Sequence, residues 1–485
     1  MTQSDIQSET QSKPNELAVS LPEPSAVSLR EHSDVTIYCA RYVLPVSSDM
    51  IDDGAVAIAG TRIIGCDTRA TLVKNFPRAR LQNFNEAAIL PGFVNAHSHL
   101  ELTVFRGFLE QEENDFPAWL RRLTLTRAEH LTPDDIRVSA TCGAIEAARA
   151  GVTCVGDASD SGMASLAALR DVGLRGTVYQ EAFGPDPKSA REQFDKLQEK
   201  IAALRASESN LARVGVSPHA PYTVSAKLLQ LIAAYAETNQ LPLMMHAAES
   251  IAENLLMREN RGTFAEGLAR RGIEWNAPKV STIQYLAALG VLSVRPLLAH
   301  CIQVDDADIE TLREAGARVA HCPKSNAKLG HARAPFAKFL EHKVIVGLGS
   351  DSVASNNVCD MLEEARFALL SARAARGVSD VTAMMSAADV LSTMTRGGAH
   401  ALGLENQTGT LDVGLEADLT VVNLNGAHQL PVFDPVAALV FSSSGRDVLL
   451  TMVAGKEIYR DGRVLTVDEE RLGARLKEIG RRLRA

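Results

Sequence analysis

The sequence predicts an α/β protein: a (β/α)8 barrel with a small β-sandwich domain built from both ends of the chain. Three observations predict it. Between about residues 91 and 405, eight short apolar runs alternate with amphipathic stretches, the pattern of a parallel sheet with crossover helices. Eight such units over roughly 310 residues suit a barrel with insertions. At both chain ends, short β-branched runs are broken by turn signals rather than by helices, so the two pieces can fold together. An open doubly wound sheet is the alternative, and no Gly-x-Gly-x-x-Gly follows the first run to support it.

The elements follow in order. Residues 1–32 are rich in Ser, Gln, Glu and Pro and lack the basic and apolar regions of a signal peptide, so a disordered tail is expected. In 33–90, the runs VTIYCARYVLPV and GAVAIAGTRIIGCD are broken at Asp52-Asp53-Gly54 and at Gly60, as in antiparallel hairpins. The barrel, 91–405, takes its strands from FVNAHSH, GVTCVGD, LRGTVYQEAF, ARVGVSPHA, LPLMMHAAE, RPLLAHC, ARVAHC and KVIVGLGSD. Helical patterns such as DDIRVSATCGAIEAARA, SAREQFDKLQEKIAALRA and SAKLLQLIAAYAETN lie between them. The second β piece, 406–467, holds ADLTVVNL and DVLLTMVAGKEIYRDGRVL, with Asp461-Gly462 as a hairpin turn. Residues 468–485 read as a charged amphipathic helix on the surface.

Composition narrows the function. The chain has 485 residues, 46% apolar and 22% charged, with a net charge of −9. That balance offers no electrostatic footprint for nucleic acid or an anionic membrane. No apolar run reaches the roughly 18 residues of a membrane helix. The seven cysteines are scattered and form no Cys-x-x-Cys, against both a disulfide framework and a cysteine zinc site. A cytoplasmic, reducing location is expected, as is a closed homo-oligomer, a dimer or larger.

Histidines carry the chemistry. Of twelve, six stand at or just after the C-terminal ends of candidate strands: His97, His99, His219, His246, His300 and His321. Active sites of barrels sit at that end. One histidine on an apolar run is usually a satisfied core residue, but six at strand ends exceed what packing explains. His97 and His99 are two apart on a strand and share a face. With His246 and with Asp351 at the end of VIVGLGSD they make three imidazoles and one carboxylate, a donor set for zinc or iron(II) with a position open to water. Such a metal lowers the pKa of a water on it to about 7. Asp351, beside that water, is also placed to take its proton. Glu249, three residues past His246, is placed to act as a general acid, or else only to favour a helix N-terminus. His300 is placed to orient the nucleophile and His219 to hold the substrate.

The runs PGFVNAHSHLE, SPHAPYTVS, MMHAAES, LLAHC, HCPKSNAKLG and GLGSDSVASNN resemble the amidohydrolase superfamily, in its cytosine deaminase-like branch. The resemblance spans about residues 34 to 465. This branch holds S-adenosylhomocysteine, methylthioadenosine, guanine and aminodeoxyfutalosine deaminases and the s-triazine hydrolases. The resemblance implies that His97, His99, His246 and Asp351 are metal ligands, Glu249 a proton shuttle, and His300 an aid to the water. It implies that His219 touches the substrate from the fourth strand. Binuclear members place a carboxylated lysine on that strand; ARVGVSPHA has none, so one divalent metal is expected, zinc or alternatively iron(II).

The substrate is less legible. Adenosylhomocysteine-type deaminases read HTHxxMTLLRG at the first histidine pair; this chain reads HSHLELTVFRG, and Ala128-Glu129 stands where an acid pair is usual. The HxHLEL start with Glu101, and the Phe116-x-x-Trp119 segment, resemble aminodeoxyfutalosine deaminase-like members, which remove the 6-amino group of an adenine nucleoside. Arg121, Arg122 or Arg127 are placed to pair a substrate carboxylate or to lie solvated on a helix. Trp119 stacks on a base or packs. The SNAKLG and ASNN loops bind substrate or cap helices, and His321 is equally open. The expectation is therefore a metal-dependent hydrolytic deaminase acting on the exocyclic amino group of an adenine nucleoside or related purine, aminodeoxyfutalosine-like first and adenosylhomocysteine or methylthioadenosine next, with Glu101, Trp119, Arg127 and His219 as substrate contacts. Two alternatives stay open: a chlorohydrolase or aminohydrolase of an s-triazine or other heterocycle, and a catalytically silent structural relative, which would be expected to have lost ligands.

Overall fold

The computed structural model describes residues 34–375 and 384–484; the tail expected over 1–32 lies outside them. Each of the eight predicted apolar runs carries one strand: β1 (Phe93–Ser98), β2 (Val152–Ser159), β3 (Arg175–Ala182), β4 (Ala212–Pro218), β5 (Met244–Ala247), β6 (Leu297–His300), β7 (Arg318–His321) and β8 (Ile345–Leu348). Strands β1 to β4 pair in parallel and in order, and so do β5 to β8. Two parallel bridges close the ring: Val216 with Leu243 joins the two sets, and Ser98 with Asp351 joins the first strand to the end of the last. Every position of β1, β2 and β3 is buried, as strands covered by helices outside and side chains inside must be.

The helices follow their patterns. Pro133–Arg149 starts at a capping box made by Thr132 and Asp135, with Pro133 in the first turn, and lays Ala140, Ala144, Ala147 and Ala148 on the barrel. Ala226–Thr238 buries Leu228, Leu229, Ile232, Ala233 and Ala236, one helical face. The barrel interior is filled by Val94, Ala96, Cys154, Ala158, Tyr179, Met244, Leu297 and Ala320. No helix among the described residues is long and apolar enough to cross a membrane.

The two chain ends do pair. Ala87–Pro91 from the first piece runs antiparallel to Leu419–Asn423 from the second, with Ile89 opposite Val421. The result is one continuously hydrogen-bonded nine-stranded sheet, and the described residues from 34 onward belong to one compact unit. The reason is edge chemistry: each piece alone would leave a strand edge unpaired, and pairing the two edges satisfies both. Asp461 and Gly462, at φ 46° and 89°, make the two-residue turn between Arg460 and Arg463, the left-handed pair such a hairpin requires. Sheet and barrel are also tied by Arg175, whose guanidinium grips buried Asp418 at 2.6 and 3.1 Å. Helix Glu469–Arg484 packs Leu472, Leu476, Ile479 and Leu483 into the apolar cluster of Phe116, Trp119 and Leu123.

Candidate active site

The C-terminal ends of β1, β5, β6 and β8 bring four histidines and two carboxylates together. His97 lies in β1 and His99 just past it; Asp157 of β2 accepts from the Leu100 amide at 2.7 Å and the Ser98 hydroxyl at 3.0 Å, which fixes the bend between them. His99 Nε2 and His246 Nε2 are 3.2 Å apart. Asp351 Oδ1 lies 3.5 Å from His97 Nε2 and 3.6 Å from His99 Nε2. Two donors on a tetrahedral zinc at about 2.0–2.1 Å are themselves about 3.3 Å apart, so the spacing is that of a metal shell.

Two of the donors, His246 and Asp351, are oriented by a second contact. His246 Nδ1 donates to the His219 carbonyl at 2.9 Å, which leaves Nε2 as the lone-pair nitrogen. Asp351 Oδ2 accepts from the hydroxyls of Ser325 and of Ser355, the latter at 2.9 Å, which turns Oδ1 to the histidines. Burial lowers the pKa of His97 and His246, and brings that of His99 to about 3, so all three imidazoles are neutral and competent to ligate. Burial alone would raise Asp351, but His97 and His300 beside it hold it well below the usual carboxylate range. His97 Nε2 is buried with no hydrogen-bond partner, and a cation is the partner this donor set fits. Asp351 and His300 hold left-handed backbone, φ 56° and 73°, strain that recurs at functional strand ends.

Glu249 stands beside this cluster. Its Oε1 is 3.5 Å from His300 Nε2 and 3.8 Å from His331 Nε2, and its Oε2 accepts from the Tyr222 hydroxyl at 3.4 Å. Burial pushes its carboxyl up to about 7, against the lowering effect of His300. Glu253 accepts from the amides of Ala248 and Glu249, both at 2.9 Å, and so anchors the turn that carries it. His300 Nδ1 donates to Asn326 Oδ1 at 2.8 Å, leaving Nε2 toward Glu249. All of this opens on a cavity of about 410 Å³, with Phe116, Trp119, Leu120 and Leu123 on one side and Glu101, Arg127, Asp160 and Glu181 on another.

Comparison with known proteins now decides the family: residues 88–458 match the amidohydrolase family. The chain belongs to the amidohydrolase family. A 5-methylthioadenosine/S-adenosylhomocysteine deaminase of Nitratidesulfovibrio vulgaris is 32% identical over 436 residues, 89% of this chain and 93% of that one. The same-named protein of Pelotomaculum thermopropionicum is 31% identical over 433 residues, 89% and 94% of the two chains. Among solved structures, an adenosine deaminase from Xanthomonas campestris with bound zinc superposes with a TM-score of 0.80 at 27% identity, covering 93% of this chain and 98% of its own. An atrazine chlorohydrolase from Arthrobacter aurescens complexed with zinc shares the fold, with a TM-score of 0.79 at 21% identity over 92% and 100% of the two chains. This amidohydrolase is a metal-binding hydrolase of C–N bonds.

The residues singled out from the sequence sort in three ways. His97, His99, His246, Asp351, Glu249, His300 and His219 converge around one point. Glu101, Arg127 and Trp119 reach the cavity wall already engaged. The Glu101 carboxylate accepts from Ser159, from the Asp160 and Ser161 amides, and from Arg127 at 3.0 Å; Arg127 also holds Asp160 at 2.8 Å, while its Nε is buried without a hydrogen-bond partner among the described residues. Trp119 lies parallel to Phe116, with ring centroids 6.0 Å apart. His321 faces away, stacked on Phe336 beside a different cavity.

The SNAKLG and ASNN loops position the site rather than only cap helices, through Ser325, Asn326 and Ser355. Sequence reasoning missed Tyr222, Glu181 and His331. Tyr222 sits inside the quoted SPHAPYTVS run, and Glu181 is a carboxylate near a barrel strand end, a signal that was readable. His331 lies in a loop with no periodicity to mark it.

Proposed function

We propose that this amidohydrolase is a hydrolytic deaminase that removes the exocyclic amino group of an adenine nucleoside. The observation that carries the reading is Glu249: a buried proton carrier poised between the three-histidine, one-aspartate cluster and the cavity. The names of the relatives at 31–32% identity support the adenine nucleoside class. Within it, the HxHLEL start and Phe116-x-x-Trp119 favour an aminodeoxyfutalosine-like nucleoside, with adenosylhomocysteine and methylthioadenosine next.

His97, His99, His246 and Asp351 would hold one divalent cation, zinc or alternatively iron(II), whose Lewis acidity supplies an activated water. The chain's own groups then move protons. Glu249, titrating near 7, takes one proton from the nucleophile and delivers it to a ring nitrogen of the base; Asp351 is placed to take the second, which goes to the amine so that it departs as ammonia. His300, with Nδ1–H held on Asn326, turns Nε2 toward that carboxylate, which with Asp351 raises the imidazole's pKa against burial, and steadies the nucleophile. His219 donates Nδ1–H to Thr223 Oγ1 at 2.9 Å, since that hydroxyl already donates to the Ala220 carbonyl, and its Nε2 is left as an acceptor for substrate. Trp119 and Phe116 wall in the base.

The test is ammonia release by the zinc-loaded protein from adenosine, methylthioadenosine, adenosylhomocysteine, aminodeoxyfutalosine, guanine, cytosine and a chlorotriazine. Release from an adenine nucleoside with kcat/KM above about 10⁴ M⁻¹s⁻¹ is expected. Chloride release from the triazine with no ammonia from any purine would overturn the reading. The same reading takes the enzyme as a cytoplasmic homo-oligomer; light scattering reports the assembly.

A further inference from the structure

His331 is a buried imidazole at the site that the chemistry above leaves unused. It is 5% exposed, and its Nε2 has no hydrogen-bond partner among the described residues. A buried polar nitrogen without a partner is costly unless some state of the molecule supplies one. Among the described residues, the one carboxylate within 4.0 Å of it is Glu249, whose Oε1 lies 3.8 Å from Nε2. The loop holds the ring there. The His331 amide donates to the Asn326 carbonyl at 2.9 Å, and the His331 carbonyl accepts from Gln303 Nε2 at 3.4 Å. Ala332 follows in left-handed backbone, φ 77°, a costly conformation for alanine that turns the chain just past the imidazole. The ring stands edge-on to Phe116, with centroids 4.5 Å apart. Asn326 also holds His300 through its side chain, so one short helix, Pro323–Lys328, sets both imidazoles.

Glu249 Oε1 thus sits between two Nε2 atoms, His300 at 3.5 Å and His331 at 3.8 Å, while Oε2 takes the Tyr222 hydroxyl. Burial lowers the pKa of His331 to about 4, so the ring is neutral at pH 7 and can carry its one N–H on Nε2, toward the carboxyl. A bond to an ionised acceptor is stronger and shorter than one to a neutral acceptor, so the contact tightens when Glu249 gives up its proton. Resting on the deaminase reading above, which makes Glu249 the proton carrier, we propose that His331 is a positioning residue: its Nε2–H holds Oε1 of the Glu249 carboxylate between proton transfers, so that the carboxyl keeps one orientation toward the nucleophile and the base. Phe116 and Leu329 line the cavity and His331 does not, so it acts through Glu249 rather than on substrate.

The experiment compares the zinc-loaded full chain as wild type, His331→Phe, His331→Gln, Glu249→Gln and the double variant His331→Phe/Glu249→Gln. Steady-state kinetics use the nucleoside that wild type deaminates fastest, and zinc content and melting temperature are measured on each. His331→Phe keeps a ring against Phe116 and removes the N–H. Its kcat should fall about 10- to 100-fold, the range of one hydrogen bond to a charged group, with KM within about twofold. His331→Gln, which can bring an amide N–H close to the position of Nε2, should recover most of that loss. In the Glu249→Gln background, His331→Phe should cost less than about twofold more, because no carboxylate is left to hold. Equal losses in the two backgrounds, a loss undiminished in His331→Gln, or an unchanged kcat overturns the proposal. A crystal structure of the zinc-loaded wild type at pH 8, above the titration of Glu249, reads the contact independently of turnover. His331 Nε2 under about 3.5 Å from Glu249 Oε1 upholds the proposal, and a longer separation overturns it. If no nucleoside releases ammonia, the deaminase reading fails by itself, and this distance decides for or against His331.

Discussion

Ser325 and Ser355 decide which oxygen of Asp351 meets the histidines, and the His219 carbonyl decides which nitrogen of His246 does. His97→Ala and Asp351→Asn should each lose bound metal and at least about 100-fold in turnover, because each removes a ligand and leaves its neighbours unpaired; metal analysis beside an ammonia assay checks this. Glu249→Gln should keep the metal and lose about 10²–10⁴-fold in kcat. The same substitution has a pH signature in metal-free protein. The folded carboxyl titrates near 7 and the unfolded one near 4.5, so the native state binds the extra proton between them. Stability from that group is whole below 4.5 and lost as pH rises through 7. Glu249→Gln should therefore stabilise the metal-free protein at pH 8, by an amount on the order of 3 kcal/mol, and not at pH 4. Thermal melts at the two pH values show it; equal shifts would contradict it. The histidine cluster was legible because histidine at a strand end has few structural excuses. His331 was not, since its place depends on which loops and strands the closed barrel sets side by side.

At the scale of elements, strands were legible from runs of β-branched residues and their turn signals, and the Asp461-Gly462 hairpin from its dipeptide. The second histidine of the pair is subtler. It lies beyond the strand, where the β1–β2 register shifts, and Asp157 rather than strand pleat sets it. The C-terminal helix reads from sequence as a surface element, yet its apolar stripe supports the same cluster that walls the cavity. Ile479, 1% exposed, is its buried anchor. Ile479→Ala should cost about 2–4 kcal/mol, and by loosening Phe116 and Trp119 it should raise KM more than it lowers kcat. Denaturant titration with steady-state kinetics tests both; a loss confined to kcat would break the link between helix and wall.

For the whole molecule, sequence pattern gave the barrel and brought both chain ends together, but not the single sheet they make. Pairing of Ala87–Pro91 with Leu419–Asn423 and the Arg175–Asp418 grip are contacts over more than 200 residues, invisible to local pattern. They hold the barrel's N-terminal rim, and the strand ends opposite are left free for chemistry. The central claim is that one cation in the His97, His99, His246 and Asp351 cluster makes this fold a deaminase. The most direct measurement titrates metal-free protein with zinc and follows bound zinc and ammonia release from adenine nucleosides in the same samples. Activity should rise in proportion to zinc and reach its plateau at one equivalent per chain. Full activity without metal, or a plateau only at two equivalents, would contradict it.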